Sequence, residues 1–141
     1  MLSINLVAVL VAAAVAFILG FLFHGPISGK LWMRLAKIVP TGNEKLSDMF
    51  GEMFWNFVVN LVTAYGLAFL IAVALSSPFF AGAPMLHAGL IIAFVVWLTF
   101  LVTSSSIAVI WMKASFKLWL FEAVCSLIVM LSMGAILASW K

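Results

Sequence analysis

Apolar residues run almost unbroken over residues 4–23, 53–75, 86–110 and 118–140, and polar residues gather between these runs. A bilayer core about 30 Å thick is crossed by about 20 helical residues, each rising about 1.5 Å. Every run meets that length, so the pattern predicts four transmembrane helices. His24-Gly25-Pro26 stops the first of them, since glycine and proline both interrupt a helix. The stretch 27–38 then sets Lys30, Arg34 and Lys37 on one helical face and Leu31, Leu35 and Ile38 on another. This predicts a short amphipathic helix in the membrane interface, with Trp32 at headgroup level. Pro40-Thr41-Gly42-Asn43 reads as a turn, and Lys45, Asp48 and Glu52 as a solvated approach to the second span. The second connection holds Pro78, Gly82 and Pro84 among Phe79, Phe80 and Met85. It is too apolar to be well solvated and is expected to lie against the outer surface.

The expected fold is therefore all-α: an integral membrane antiparallel four-helix bundle with a short interfacial amphipathic helix in its first loop. Residues 1–141 form a single transmembrane domain. With 67% hydrophobic and 8% charged residues, the chain lacks the polar surface to coat a soluble domain. The formal net charge of +3 comes from basic residues at segment ends, not from a patch that would hold nucleic acid. The one cysteine, Cys125, lies inside the fourth span and has no intramolecular disulfide partner. Residues 1–5 carry no Lys or Arg, unlike a secretory n-region, so the first run is kept as a membrane helix.

Charge also orients the bundle. The first connection holds Lys30, Arg34, Lys37 and Lys45, and the third holds Lys113 and Lys117; the second holds neither Lys nor Arg. Short basic loops stay cytoplasmic, so the expected location is the inner membrane, multi-pass, with both termini periplasmic. Trp55, Trp111 and Trp119 then anchor the inner boundary and Trp140 the outer one, while Trp97 falls mid-membrane. Lys30, Arg34, Lys37 and Trp32 are expected to contact lipid headgroups.

Two features suggest what the helices do. Ala8, Ala12, Ala16 and Gly20 recur every fourth residue, a face on which another helix backbone packs closely; Gly134 and Ala138 repeat the spacing. The two halves of the chain show no internal repeat, so an inverted-repeat transporter is not indicated. The second feature is polar. Glu122 is the carboxylate within a span, and intramembrane ionisable groups are functional candidates by default. Glu52, Asn56, Asn60 and Thr63 share one face of the second helix. Thr103 and Ser104-Ser105-Ser106 descend to the same half on the third helix, and the first helix ends there at His24.

These residues admit a cytoplasm-facing polar pocket of Glu122, Asn56, Asn60, Ser126 and His24. They also admit interhelical hydrogen-bond glue, the favoured reading, in which Glu122 accepts from Asn56 or Ser126. No nucleophile-elbow, zincin or phosphate-loop pattern is present, and no enzyme activity, cofactor or metal is expected. His24 and His87 would stand about 30 Å apart across the core, too far to share a haem. The sequence thus points to a non-enzymatic accessory or structural protein that packs with itself or a larger membrane complex. The alternative is a small channel or carrier with a vestibule around Glu122. Membrane lipids and a homo-oligomer or larger complex are the expected partners, with no nucleic acid.

The chain also resembles the bacterial membrane proteins of the domain-of-unknown-function family numbered 1761. The resemblance lies in Asn5 and Gly20 on the first helix, and in Gly25-Pro26 and Gly29-Lys30 with Trp32 in the turn after it. It extends to Trp97-Leu98-Thr99-Phe100 and to the closing Met133-Gly134-Ala135-Ile136-Leu137 with Trp140. Such proteins often carry Trp-Tyr where this chain has Phe23-His24, and Glu122 matches their fourth-helix carboxylate. Cys125 and Ser126 stand where polar or aromatic residues are expected. The resemblance implies a four-helix membrane fold and brings no activity with it.

Overall fold

The computed structural model describes residues 4–42 and 45–140 and is helical throughout its regular structure. Asn43 of the expected turn, and the chain ends Met1 and Lys141, lie outside the described residues. Four helices are long and apolar enough to cross a membrane: α1 (Leu6–His24), α3 (Phe50–Leu75), α4 (Met85–Ile110) and α5 (Phe116–Ser139). The shorter α2 (Gly29–Ala36) follows α1. At 19 to 26 residues each, the long helices extend about 28–39 Å. They match a bilayer core and mark the chain as a multi-pass membrane protein.

Local chemistry fixes the ends. Asn5 caps α1, its Oδ1 accepting from the backbone N–H of Val7 at 3.0 Å and of Ala8 at 3.1 Å. Ser115 caps α5, accepting from the Leu118 N–H. The amphipathic stretch expected over 27–38 is helical only over Gly29–Ala36. Pro26, Ile27 and Ser28 instead form a tight reversal, closed by Ile27 N–H to the Leu22 carbonyl and Gly29 N–H to the Gly25 carbonyl. At Gly29 a Cβ would fall 2.8 Å from the His24 carbonyl oxygen, so glycine is what lets α2 fold back onto the end of α1. At its other end, Lys37 takes a left-handed conformation (φ 56°) that stops the helix.

The packing inverts the pattern of a soluble protein. Among the described residues the buried set is apolar and dominated by alanine, with no buried polar or charged residue. Large side chains such as Leu10, Ile18, Val59, Val62, Phe69 and Ile91 face outward. That arrangement suits lipid, where close backbone approach and van der Waals packing hold helices together. Ala8, Ala12 and Ala16 are buried, and α1 packs against α3 and α5. Gly20, expected to continue this face, does not: nothing lies within 4 Å of where its Cβ would sit.

α4 and α5 approach each other closely. A Cβ on Gly89 would lie 2.6 Å from the Gly134 carbonyl oxygen, and one on Gly134 would lie 2.7 Å from that of Gly89. Gly89 and Ala93 on α4 thus answer Gly134 and Ala138 on α5, a small-residue pair at four-residue spacing on each helix. Midway along α4, Trp97–Val102 widens into a π-helical segment.

Candidate functional site

Glu122 joins three helices. Its Oε1 accepts from the Trp32 indole N–H at 2.9 Å, and the His24 imidazole Nε2 stands 3.1 Å from Oε1 and 3.0 Å from Oε2. Trp32 comes from α2, His24 from the last turn of α1, and Glu122 from the second turn of α5. His24 is held on its other edge, where Nδ1 stands 2.9 Å from the Gly20 carbonyl oxygen. The rings of Trp32 and Phe121 meet the imidazole edge-on, at centroid distances of 5.2 and 6.1 Å. His24 and Glu122 stay about one-third and two-fifths exposed, so the cluster is open to one side.

Hydrogen-bond inventory constrains the pair further. The Gly20 carbonyl only accepts, so Nδ1 carries a proton. Nε2 then approaches the carboxyl group with a proton between them, held either as imidazolium and carboxylate or as imidazole and carboxylic acid. Without that proton, two acceptors would face each other at 3.0 Å.

The cluster forms one wall of a cavity of about 500 Å³. α1 lines it with Ala16, Phe17, Gly20 and Phe21; α3 with Glu52, Met53, Asn56, Asn60 and Thr63; α5 with Cys125, Ser126, Val129, Met130 and Met133. Glu52 to Thr63 and Glu122 to Met133 each span about 16 Å of helix, half of a core about 30 Å thick. Beyond them Val9, Ala12, Ala13, Ala64, Leu67, Ala68 and Ile71 pack into a continuous apolar core. The cavity is a chamber whose lining runs as far as Thr63 on α3 and Met133 on α5.

Glu122, His24, Asn56, Asn60 and Ser126 all line this chamber, but their bonds differ from those the sequence suggested. Glu122 bonds neither Asn56 nor Ser126. Asn60 Nδ2 donates to Asn56 Oδ1 at 2.7 Å and to the Asn56 carbonyl at 2.9 Å, both along α3. Ser126 accepts from the Trp97 indole N–H at 3.0 Å and donates to the Ala123 carbonyl. Trp97 therefore packs against the apolar core and also ties α4 to α5.

Trp32 turns its indole N–H inward to Glu122, and one further expectation is corrected. Thr103, Ser104, Ser105 and Ser106 do not reach the chamber, to which α4 brings Leu101. Their hydroxyls donate to carbonyls of their own helix, and Ser105 also accepts from the Trp119 indole. Lys30, Arg34 and Lys37 are exposed around α2. Among the described residues no three His, Cys, Asp or Glu side chains gather as metal ligands would.

Four long apolar helices around a chamber with a polar wall define a multi-pass membrane protein. The chain belongs to the family described as "Protein of unknown function (DUF1761)", whose model matches residues 7–138. Among curated proteins and among solved structures, none matches the chain.

Proposed function

We infer that this protein is a non-enzymatic solute carrier or solute-binding protein of the inner membrane. Its chamber is a vestibule open to the cytoplasm in this conformation. The observation that carries the reading is the cavity itself: about 500 Å³, running from Glu122 as far as Thr63 and Met133. Hydrogen-bond glue between helices needs no space, whereas this volume suits a small organic ligand. The apolar core beyond Thr63 argues for a carrier or receptor rather than an open pore.

In this reading the bundle is antiparallel, as the connections between long helices suggest. The basic residues around α2 and at Lys113 and Lys117 lie on the cytoplasmic side, and the termini are periplasmic. α2 rests in the inner interface, with Lys30, Arg34 and Lys37 toward lipid phosphates. The accessory reading relied on the alanine face of α1 as a docking surface for other subunits. Burial of Ala8, Ala12 and Ala16 against the chain's own helices leaves it without that surface.

Thiol labelling tests the vestibule. In a Cys125→Ser background, Asn60→Cys and Thr63→Cys should react with a membrane-impermeant thiol reagent in inside-out vesicles and stay protected in intact spheroplasts. Ala68→Cys, in the sealed core, should be inert in both. Protection of Asn60→Cys and Thr63→Cys in both preparations would contradict a vestibule, and labelling from the periplasm alone would reverse the orientation.

A further inference from the structure

We propose that the chamber takes a lipophilic organic cation in exchange for the proton shared by His24 and Glu122. The proposal rests on the vestibule reading and adds the chemical class of its ligand.

Charge narrows the class first. Two carboxylates line the chamber, Glu52 from α3 and Glu122 from α5, and the basic or titratable groups beside them are His24 from α1 and the buried thiol Cys125 from α5. α4 contributes no titratable group to the lining, and Lys30 and Arg34 of α2 are exposed and do not line it. An anion would face carboxylates with no fixed positive charge to answer it. A small inorganic cation needs about six oxygen ligands at close range, and these walls are mainly apolar. The rings of Phe17, Phe21 and Phe23 and the thioethers of Met53, Met130 and Met133 supply instead the surface that attracts a large, weakly hydrated cation.

The hydrogen-bond pattern then supplies the exchange. Before the cation enters, one proton lies between Nε2 and the carboxyl group, and the pair with it is neutral. A cation entering beside Glu122 takes over the role of that proton. The proton leaves to water, His24 remains neutral with its Nδ1–H on Gly20, and the carboxylate keeps the Trp32 N–H and gains the ligand's charge. One cation enters and one proton departs, so total charge is conserved.

The test compares two ions of one shape and opposite charge, tetraphenylphosphonium and tetraphenylborate, by equilibrium dialysis against the full-length protein in detergent with empty micelles as blank. The cation should bind saturably and the anion should not. Glu122→Gln, confirmed folded by its melting profile, should bind the cation at least about tenfold more weakly. Affinity of the wild type should rise about tenfold per pH unit wherever the pair still holds its proton, as release of one proton requires. Should Glu122→Gln fail to fold, protection serves in its place: the cation should shield Asn60→Cys from a neutral thiol reagent and the anion should not. Saturable anion binding, undiminished cation binding by Glu122→Gln, or no protection would overturn the cation assignment. Binding that ignores pH would overturn the exchange. Each of these leaves the vestibule to stand or fall on its own thiol labelling.

Discussion

Gly134→Val should unfold the bundle or lower its stability by about 3 kcal/mol or more, the upper range for forcing extra carbons into a packed interior. The cause is geometric. A Cβ at this position would sit 2.7 Å from the Gly89 carbonyl oxygen, which belongs to backbone and has no rotamer to escape into. α4 and α5 would have to part, and their separation would break the contacts of Ala93 and Ala138, both buried. Gly89→Val should do the same, because the clash is reciprocal. Gly20→Ala is the control, since its Cβ would point into open space and alanine favours helix over glycine. It should leave stability unchanged or slightly raised. Thermal unfolding in detergent reads all three; equal loss at Gly20 and Gly134 would contradict the packing described.

The second large effect concerns Glu122. Replacing it with leucine leaves the Trp32 indole and the His24 Nε2 without their shared acceptor, at a cost of about 1–3 kcal/mol for the unsatisfied groups. Glutamine keeps an acceptor oxygen for Trp32 and should change stability by about 1 kcal/mol or less. Its dependence on pH should nonetheless differ from the wild type, because the shared proton is gone. The stronger test is coupling. Trp32→Phe should destabilise the wild type by about 1 kcal/mol and cost nothing in the Glu122→Leu background, giving a double-mutant interaction of similar size. Additive losses would mean that the indole and the carboxylate do not act together.

Much of this was legible in the chain and some was not, for definable reasons. Span lengths follow from hydropathy alone, and the observed helix ends lie within three residues of the expected ones. The shared face of Asn56, Asn60 and Thr63 follows from helical period, and that face does line the chamber. The partners of Glu122 were not predictable from periodicity, because they depend on a chain reversal. The turn at 25–29 carries α2 back over α1 and aims Trp32 at α5, a direction set by backbone geometry that composition does not encode. The serine run on α4 misled in the opposite sense, since polar residues in a span can be satisfied by their own helix carbonyls without reaching a partner. Gly89 and Ala93 carried the same four-residue spacing as the α1 alanines. Two small residues on one helix are a weak signal until the facing Gly134 and Ala138 are known to lie opposite.

The account turns on the contact between His24 and Glu122, and nitrogen NMR of the protein labelled at histidine, in lipid bilayers, measures it most directly. His24 and His87 are the two histidines, so His87→Gln leaves His24 as the one signal. The account predicts a protonated Nδ1 and an Nε2 strongly hydrogen-bonded to a carboxyl group, with the Nε2 resonance moving in Glu122→Gln while Nδ1 stays in place. An Nε2 resonance of free, water-exposed imidazole, unmoved by Glu122→Gln, would contradict it.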